Sequence, residues 1–567
     1  MRVHLLLAIV AAATVACSGS KPSEPPPETT PSLTERIPIG ELPEVDINAV
    51  LAHTKILSSD EFEGRLPGTR GEELTVKYLV DQFKAIGLEP GNTDGTYVQK
   101  VPLVGITPTP APMVFKKGAR QERLKWKDDF VAFTKRVSPT ARLDNSELVF
   151  VGYGVVAPEF NWDDYKGVDV KGKTLVMLIN DPPVPDPASA TELDANTFGG
   201  KAMTYYGRWT YKYEIAAEKG AAGALIIHET GPAGYPFSVW QSRTGEQFDL
   251  VTPDKNMSRA AIEGWISNEQ GRMLMTMAGQ DFDALKQQAA TREFRPVPLG
   301  VTASISLRNK LRTIDSQNVL AKLEGNDPAL KDEYVVYTAH WDHLGKGPEG
   351  TYHGAQDDAL GCAALLEIGR AMTKVTVPSK RSILFLAVTA EEQGLLGSQY
   401  YSVMPIYPLA KTLANINMDS WNVNGRTRDM TLVGYGFSQL DDFARDAAGE
   451  QGRLVHGDTE PEKGFYYRSD HFNFAKQGVP ALDVHSNSNM DYIGKPKEYA
   501  EQVQSEWTGR HYHQPSDVVT PAWDLTGTRE DLKVFLAMGY RVAQAAKYPE
   551  WKPGTEFRAK REAQLKP

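Results

Sequence analysis

Tyr334-Val-Val-Tyr-Thr-Ala-His-Trp-Asp-His343 is a near-continuous apolar run that ends on two histidines and an aspartate. A strand with one wet face would alternate polar and apolar residues. This run does not, so it reads as a strand buried on both faces, the signature of a parallel sheet covered by helices. Ser382-Ile-Leu-Phe-Leu-Ala-Val388 repeats the pattern and leads into Thr389-Ala-Glu391-Glu392, and Leu413–Met418 leads into Asp419-Ser420. Helical periodicity is read at 47–57, 72–86, 359–374, 439–448 and 529–546. Together these give the fold class: α/β, with a mixed, mostly parallel central sheet flanked by helices.

The residues just past those strands point to chemistry, because ligands of an open α/β sheet bind beyond the carboxyl ends of its strands. One polar strand end would merely solvate the sheet edge. Here three ends deliver His340, Asp342, His343, Glu391, Glu392 and Asp419, and Gly354-Ala-Gln-Asp357-Asp358 adds a tight acidic turn. So many carboxylates in one cleft repel one another and raise their own pKa values unless a cation neutralises them. Mixed imidazole and carboxylate donors suit zinc, and oxygen-rich sites of this type also accept other divalent ions.

The 567 residues are too many for a single ordinary core. Globular sequence is expected from 43, with residues 43–134 and 301–550 forming the α/β domain. Between 135 and 300 short strand-like runs such as 147–154 and 173–179 alternate with Gly, Pro and Asn-Asp turns, predicting a smaller β-rich insert. Residues 551–567 read as a charged C-terminal tail.

Met1-Arg-Val-His4 followed by apolar Leu5–Val15 reads as an export signal, too short to span a bilayer. It ends in Thr14-Val-Ala-Cys17, which resembles a bacterial lipobox. Residues 1–17 are therefore expected to be a lipoprotein signal, with Cys17 the lipid anchor at the cell envelope. Residues 18–42, rich in Pro and Ser, would be the tether. The other cysteine of the two, Cys362, lies in an apolar helix start and reads as a buried small hydrophobe. A net charge of -10 without a basic cluster argues against nucleic acid.

Five strings carry a specific resemblance: His340-Trp-Asp342-His, Gly354-Ala-Gln-Asp357-Asp-Ala-Leu-Gly361, Ala390-Glu391-Glu392-Gln-Gly-Leu-Leu-Gly397, Asn417-Met-Asp419-Ser, and Tyr512-His513-Gln-Pro-Ser-Asp517. In order and spacing they resemble the M28 family of zinc peptidases, and the 135–300 insert resembles a protease-associated domain. The resemblance implies two zinc ions per chain and hydrolysis of peptide bonds through a metal-bridging hydroxide. It implies that Asp357 bridges both ions through a strained peptide bond to Asp358. His340 and Asp419 would complete one ion's ligands, and Glu392 and His513 the other's. Asp342 would stand behind His340 and orient it. Glu391, beside a ligand but not itself one, would be the general base. Tyr512 would donate to the oxyanion, the alternative being a packed aromatic.

The favoured activity is an aminopeptidase acting on free N-termini of peptides or proteins, which Arg468-Ser-Asp-His471-Phe favours. A carboxypeptidase or dipeptidase would need an arginine cluster for the terminal carboxylate, and only Arg468 and Arg510 lie near the right segments. A single-zinc glutaminyl cyclase or a non-catalytic ectodomain fits the full ligand set less well. His343, His353, His471, His485 and His511 are read as hydrogen-bonding or packing residues, and Tyr206–Trp209 as a surface loop. Ser469 or Asp470 is the expected cap of the following helix.

Overall fold

The strand Tyr334–His340 lies at the middle of the sheet, parallel to Ser382–Val388 on one side and Thr412–Asn417 on the other. The computed structural model describes residues 37–566 apart from Ala190, Arg243 and residues 485–488. The export signal, Cys17, most of the tether and His485 lie outside the described residues.

Thr412–Asn417 is followed across the sheet by Ala481–Val484, then Asp429–Val433 and Leu454–Gly457. Successive side chains of the central strands feed opposite cores, as a two-residue repeat requires. Val335, Tyr337 and Ala339 join one core, with the helices Ile47–Leu57, Arg70–Ile86, Leu360–Met372 and Thr526–Gln544. Tyr334 and Val336 join the other, with His471–Lys476 and the aromatic residues Trp551 and Phe557. The sheet is thus covered on both faces, which is why its strands carry no polar face. Because the three central strands are parallel, their carboxyl ends and the loops that follow share one edge.

Val297–Leu323, 27 residues long, pairs antiparallel with Ser382–Val388 at its end. Over its middle it pairs with Val98–Pro110 in one ladder running from Val98↔Val319 to Pro110↔Leu307. These two strands run out of the catalytic sheet into a separate core built from residues 113–307. That second core holds more helix than its turn-rich sequence advertises. The parallel strands Thr174–Leu178, Gly223–Ile227 and Ile262–Ile266 alternate with the helices Trp209–Glu218 and Asn268–Ala278.

The chain differs from the sequence reading at three places. Ile39 and Leu42 are already buried, and Lys533 donates to the Leu42 carbonyl, so packed structure begins before residue 43. The C-terminal segment is bolted down rather than loose. Trp551, Phe557 and Arg561 are buried, and the Arg561 guanidinium donates to the carbonyls of Leu409 and Thr412. Nor is Tyr206–Trp209 a surface loop: Tyr205–Gly207 is a half-buried turn, and the Tyr205 ring packs 5.0 Å from Phe472 of the helix His471–Lys476. Among the described residues, no helix is long and apolar enough to cross a membrane.

Candidate metal centre

All the predicted site residues except Asp357, Tyr512 and His513 leave the sheet at its carboxyl edge. His340 is the last residue of its strand, Glu391 and Glu392 lie on the loop after Val388, and Asp419 follows Asn417. Asp357 sits in the distorted turn Ala355–Ala359 that opens the helix Leu360–Met372, and the Asp357–Asp358 peptide bond is cis. His513 comes from the loop after the helix Tyr499–Arg510, with φ of 57°.

Asp357 is the meeting point. Its Oδ1 lies 3.1 Å from His340 Nε2, and its Oδ2 lies 3.3 Å from His513 Nε2. Around the first contact, His340 Nε2 is 4.0 Å from Asp419 Oδ1. Around the second, His513 Nε2 is 3.0 Å from Glu392 Oε2. His340 Nδ1 is 3.1 Å from the Asp342 main-chain carbonyl, which can only accept, so Nδ1 carries a proton and Nε2 is the atom turned to Asp357. Asp342 therefore orients His340 through its backbone. Its carboxylate stands 3.8 Å off and instead accepts the Glu391 N–H at 3.0 Å.

Two further residues come into the cluster. His343 Nδ1 lies 2.6 Å from Glu392 Oε1, so this buried histidine faces a predicted ligand. Asp358 offers oxygens within 4.8 Å of His340 and Asp419 atoms. Its carboxylate is already engaged by the N–H groups of Gly361 and His340, which fix the turn. His353 and His511, by contrast, hydrogen-bond to Ser58 and Ser516.

The electrostatics test whether cations fit. His340 Nε2, Asp357 Oδ2 and Glu392 Oε1 are buried and find no hydrogen-bond partner, although they meet other donor atoms at ionic distances. Atoms that crowd together without hydrogen-bond alignment are aimed at a common point, as ligands of a shared ion are. Left to protons alone, the cluster has to neutralise itself. Against burial, Glu392 and Asp357 hold His513 protonated up to about 10. Burial and the facing carboxylates push Glu391 well above the ordinary value, and burial raises Asp342 to about 7. Divalent cations would replace those protons, and the imidazole and carboxylate donors match them.

The centre is held by residues outside the predicted ligand set. Arg65 is 1% exposed and donates to four main-chain carbonyls, those of Leu57, Trp341, His353 and Gly354. It thus ties the turn before Asp357 to the end of the His340 strand. Asp517 accepts the N–H groups of Gln356 and Asp357. Ser469 does not cap its helix; its hydroxyl donates to Asp419 Oδ2 at 2.7 Å. Asp470 turns inward and accepts from Ser398 at 2.5 Å. Tyr512 is 45% exposed and stacks on His513 with ring centres 3.8 Å apart, so it is no packed core aromatic.

The sequence pattern of Peptidase family M28 matches residues 318–536, which contain every one of the centre's predicted residues. Residues 318–536 belong to peptidase family M28. Similar curated proteins include Aminopeptidase YwaD of Bacillus subtilis, 28% identical over 58% of this chain and 63% of that one. Aminopeptidase NAALADL1 of Mus musculus is 36% identical over 22% of this chain and 16% of its own length. The chain thus spans between about a sixth and two thirds of these two relatives. Among solved structures, an aminopeptidase from Aneurinibacillus sp. strain AM-1 resembles the chain at a TM-score of 0.48 and 20% identity, over 88% of this chain and 94% of that one. Arg65 and the second core lie outside the matched residues.

Proposed function

We propose that the chain is a dinuclear metallo-aminopeptidase, most simply with zinc, that removes N-terminal residues from peptides. The observation that carries this is the pair of donor sets joined at Asp357: His340 and Asp419 on one side, Glu392 and His513 on the other. Cations held there would supply Lewis-acid polarisation of the scissile carbonyl and acidify water.

The chain's own groups complete the reaction. Glu391 takes the proton of the attacking water and hands it to the departing amine. It is suited to this because its carboxylate stays 4.0 Å from His340 Nε2, while its N–H is anchored on Asp342. Tyr512 donates its hydroxyl to the developing oxyanion. The carboxylates of Asp357, Glu392 and Glu391 nearby favour its neutral form, so it remains a donor.

Charge decides which end of the peptide is read. An acidic centre attracts an α-ammonium group. A terminal carboxylate would need arginine, and those nearby are engaged. Arg65 donates to four carbonyls, Arg510 is an exposed side chain 3.7 Å from Glu506, and Arg468 lies over the Phe465 ring at 5.4 Å. The test compares an amino-acid anilide with its N-acetylated form. The free amine should be cleaved and the blocked one spared; equal rates would refute the aminopeptidase reading.

The 135–300 segment is proposed to be a protease-associated insert, supported by its separate apolar core. Anchoring through Cys17 is proposed from the lipobox-like Thr14–Cys17. Labelled fatty acid should enter the wild type and not Cys17→Ser; labelling of both would refute it.

A further inference from the structure

Glu391 and Glu392 lie on a loop, and a loop alone does not hold two carboxylates to fractions of an ångström. We infer that Asn318 is the positioning residue for that loop, an inference that rests on the peptidase reading above. Asn318 is fully buried on the long strand, one residue beyond the pair Val319↔Ala387, so its side chain reaches past the end of the neighbouring strand. Its Oδ1 accepts the Thr389 N–H at 3.0 Å, and its Nδ2 donates to the Gly397 carbonyl at 2.9 Å. One carboxamide thus grips both ends of the segment that carries Glu391 and Glu392. Its second N–H goes to Gln99 Oε1 at 3.0 Å, which fixes the carboxamide itself.

The neck of the loop is closed as well as gripped. The Gly397 N–H donates to the Thr389 carbonyl at 2.8 Å. A Cβ at Gly397 would stand 2.3 Å from that carbonyl oxygen and 2.5 Å from Asn318 Oδ1, so only glycine lets the neck close. Two residues back on the same strand face, Ser316 Oγ lies 2.6 Å from Thr389 Oγ1 and donates to Glu72. Inside the neck, Ala390 and Leu395 adopt φ of 53° and 61°. Such left-handed conformations of non-glycine residues persist where the surroundings over-determine them, and the Asn318 bracket supplies that constraint on either side of the two glutamates. Only asparagine or glutamine offers the acceptor and the donors together; aspartate lacks the donors and alanine lacks both.

The experiment uses the full chain with saturating zinc and leucine p-nitroanilide. Asn318→Ala should lower kcat on the order of 100-fold, the loss expected when a catalytic group is misplaced by about 1 Å. KM should stay within about threefold, as the bracket does not touch substrate. Gln99→Met, which removes the third partner but neither loop bond, should keep kcat within about threefold. If Asn318→Ala does not fold, Asn318→Asp keeps the volume and the acceptor and is measured in its place. Hydrogen exchange at the Thr389 amide should accelerate in Asn318→Ala, whereas Asn318→Asp, which keeps that acceptor and loses the bond to the Gly397 carbonyl, should show the kcat loss without it. An Asn318 variant with wild-type kcat and wild-type exchange overturns the inference, as does an equal kcat loss in Gln99→Met. An inactive wild type would instead refute the peptidase reading, and the Thr389 exchange rate would still judge the bracket.

Discussion

Replacing Glu391 by Gln removes one charge and keeps the side chain's shape. The backbone contacts that hold the residue survive the change: its N–H on Asp342 at 3.0 Å, and its carbonyl accepting from Gly394 and Leu395 at 2.8 Å. Its carboxylate makes no contact shorter than the 4.0 Å to His340 Nε2 among the ion pairs of the centre, so the donor sets around Asp357 stay complete. What disappears is the proton acceptor. General-base catalysis contributes roughly 10²–10⁴-fold, so a loss of about 10³ in kcat is expected, or about 4 kcal/mol of barrier. The metal-free protein should be no less stable, because burial already holds this carboxyl well above its usual pKa and its charged form disfavours the fold. Initial rates on leucine p-nitroanilide and metal per chain by plasma mass spectrometry decide the matter. Turnover within tenfold of wild type would refute Glu391 as the base, and loss of a metal equivalent would show it to be a ligand.

Removing metal with a chelator should abolish turnover and lower Tm, and zinc should restore both. A cation at a thousandfold excess over its Kd adds about 4 kcal/mol, which for a chain of this length is about 4 °C for each ion; an unchanged Tm would contradict the centre. Arg65→Met removes a donor from four carbonyls, of which Gly354 keeps the Ala359 N–H, and should destabilise the fold by about 3 kcal/mol, read by thermal denaturation, with a loss under 1 kcal/mol opposing the role given to it. His456 Nε2 sits 2.9 Å from Asp429 Oδ2, and that hydrogen bond raises its pKa above the ordinary value. The stability it contributes is therefore present below about pH 6.5 and lost as pH rises through the raised pKa. The Tm gap between wild type and His456→Gln should narrow as pH rises above about 6.5; a gap independent of pH would refute this.

The sheet was legible because its strands are buried on both faces, and apolar runs such as Ser382–Val388 have no other simple reading. Their polar ends, His340, Glu391, Glu392 and Asp419, were equally open to inspection. Asp357 and His513 were not, since neither follows a strand and only the folded chain brings them to the others. Arg65 gave no sign, because nothing local reveals that three of its partners lie nearly 300 positions away. Asn318 was hidden for a similar reason: a polar residue in a strand reads as solvated until both ends of a distant loop are found on it. In the C-terminal segment, many charges concealed the three residues, Trp551, Phe557 and Arg561, that fasten it.

The two chain crossings between the cores form a ribbon of two paired strands with no single-residue hinge in its thirteen consecutive pairs, and the cores also touch beside it through Tyr205 on Phe472 and Lys476 on Glu214. At about 3.4 Å per residue, that ladder is about 40 Å long. Relative movement of the insert and the metal centre must then be spread as twist and bend along a spring, rather than concentrated as a swing about a point. The energy of such a motion grows with its amplitude from the first degree.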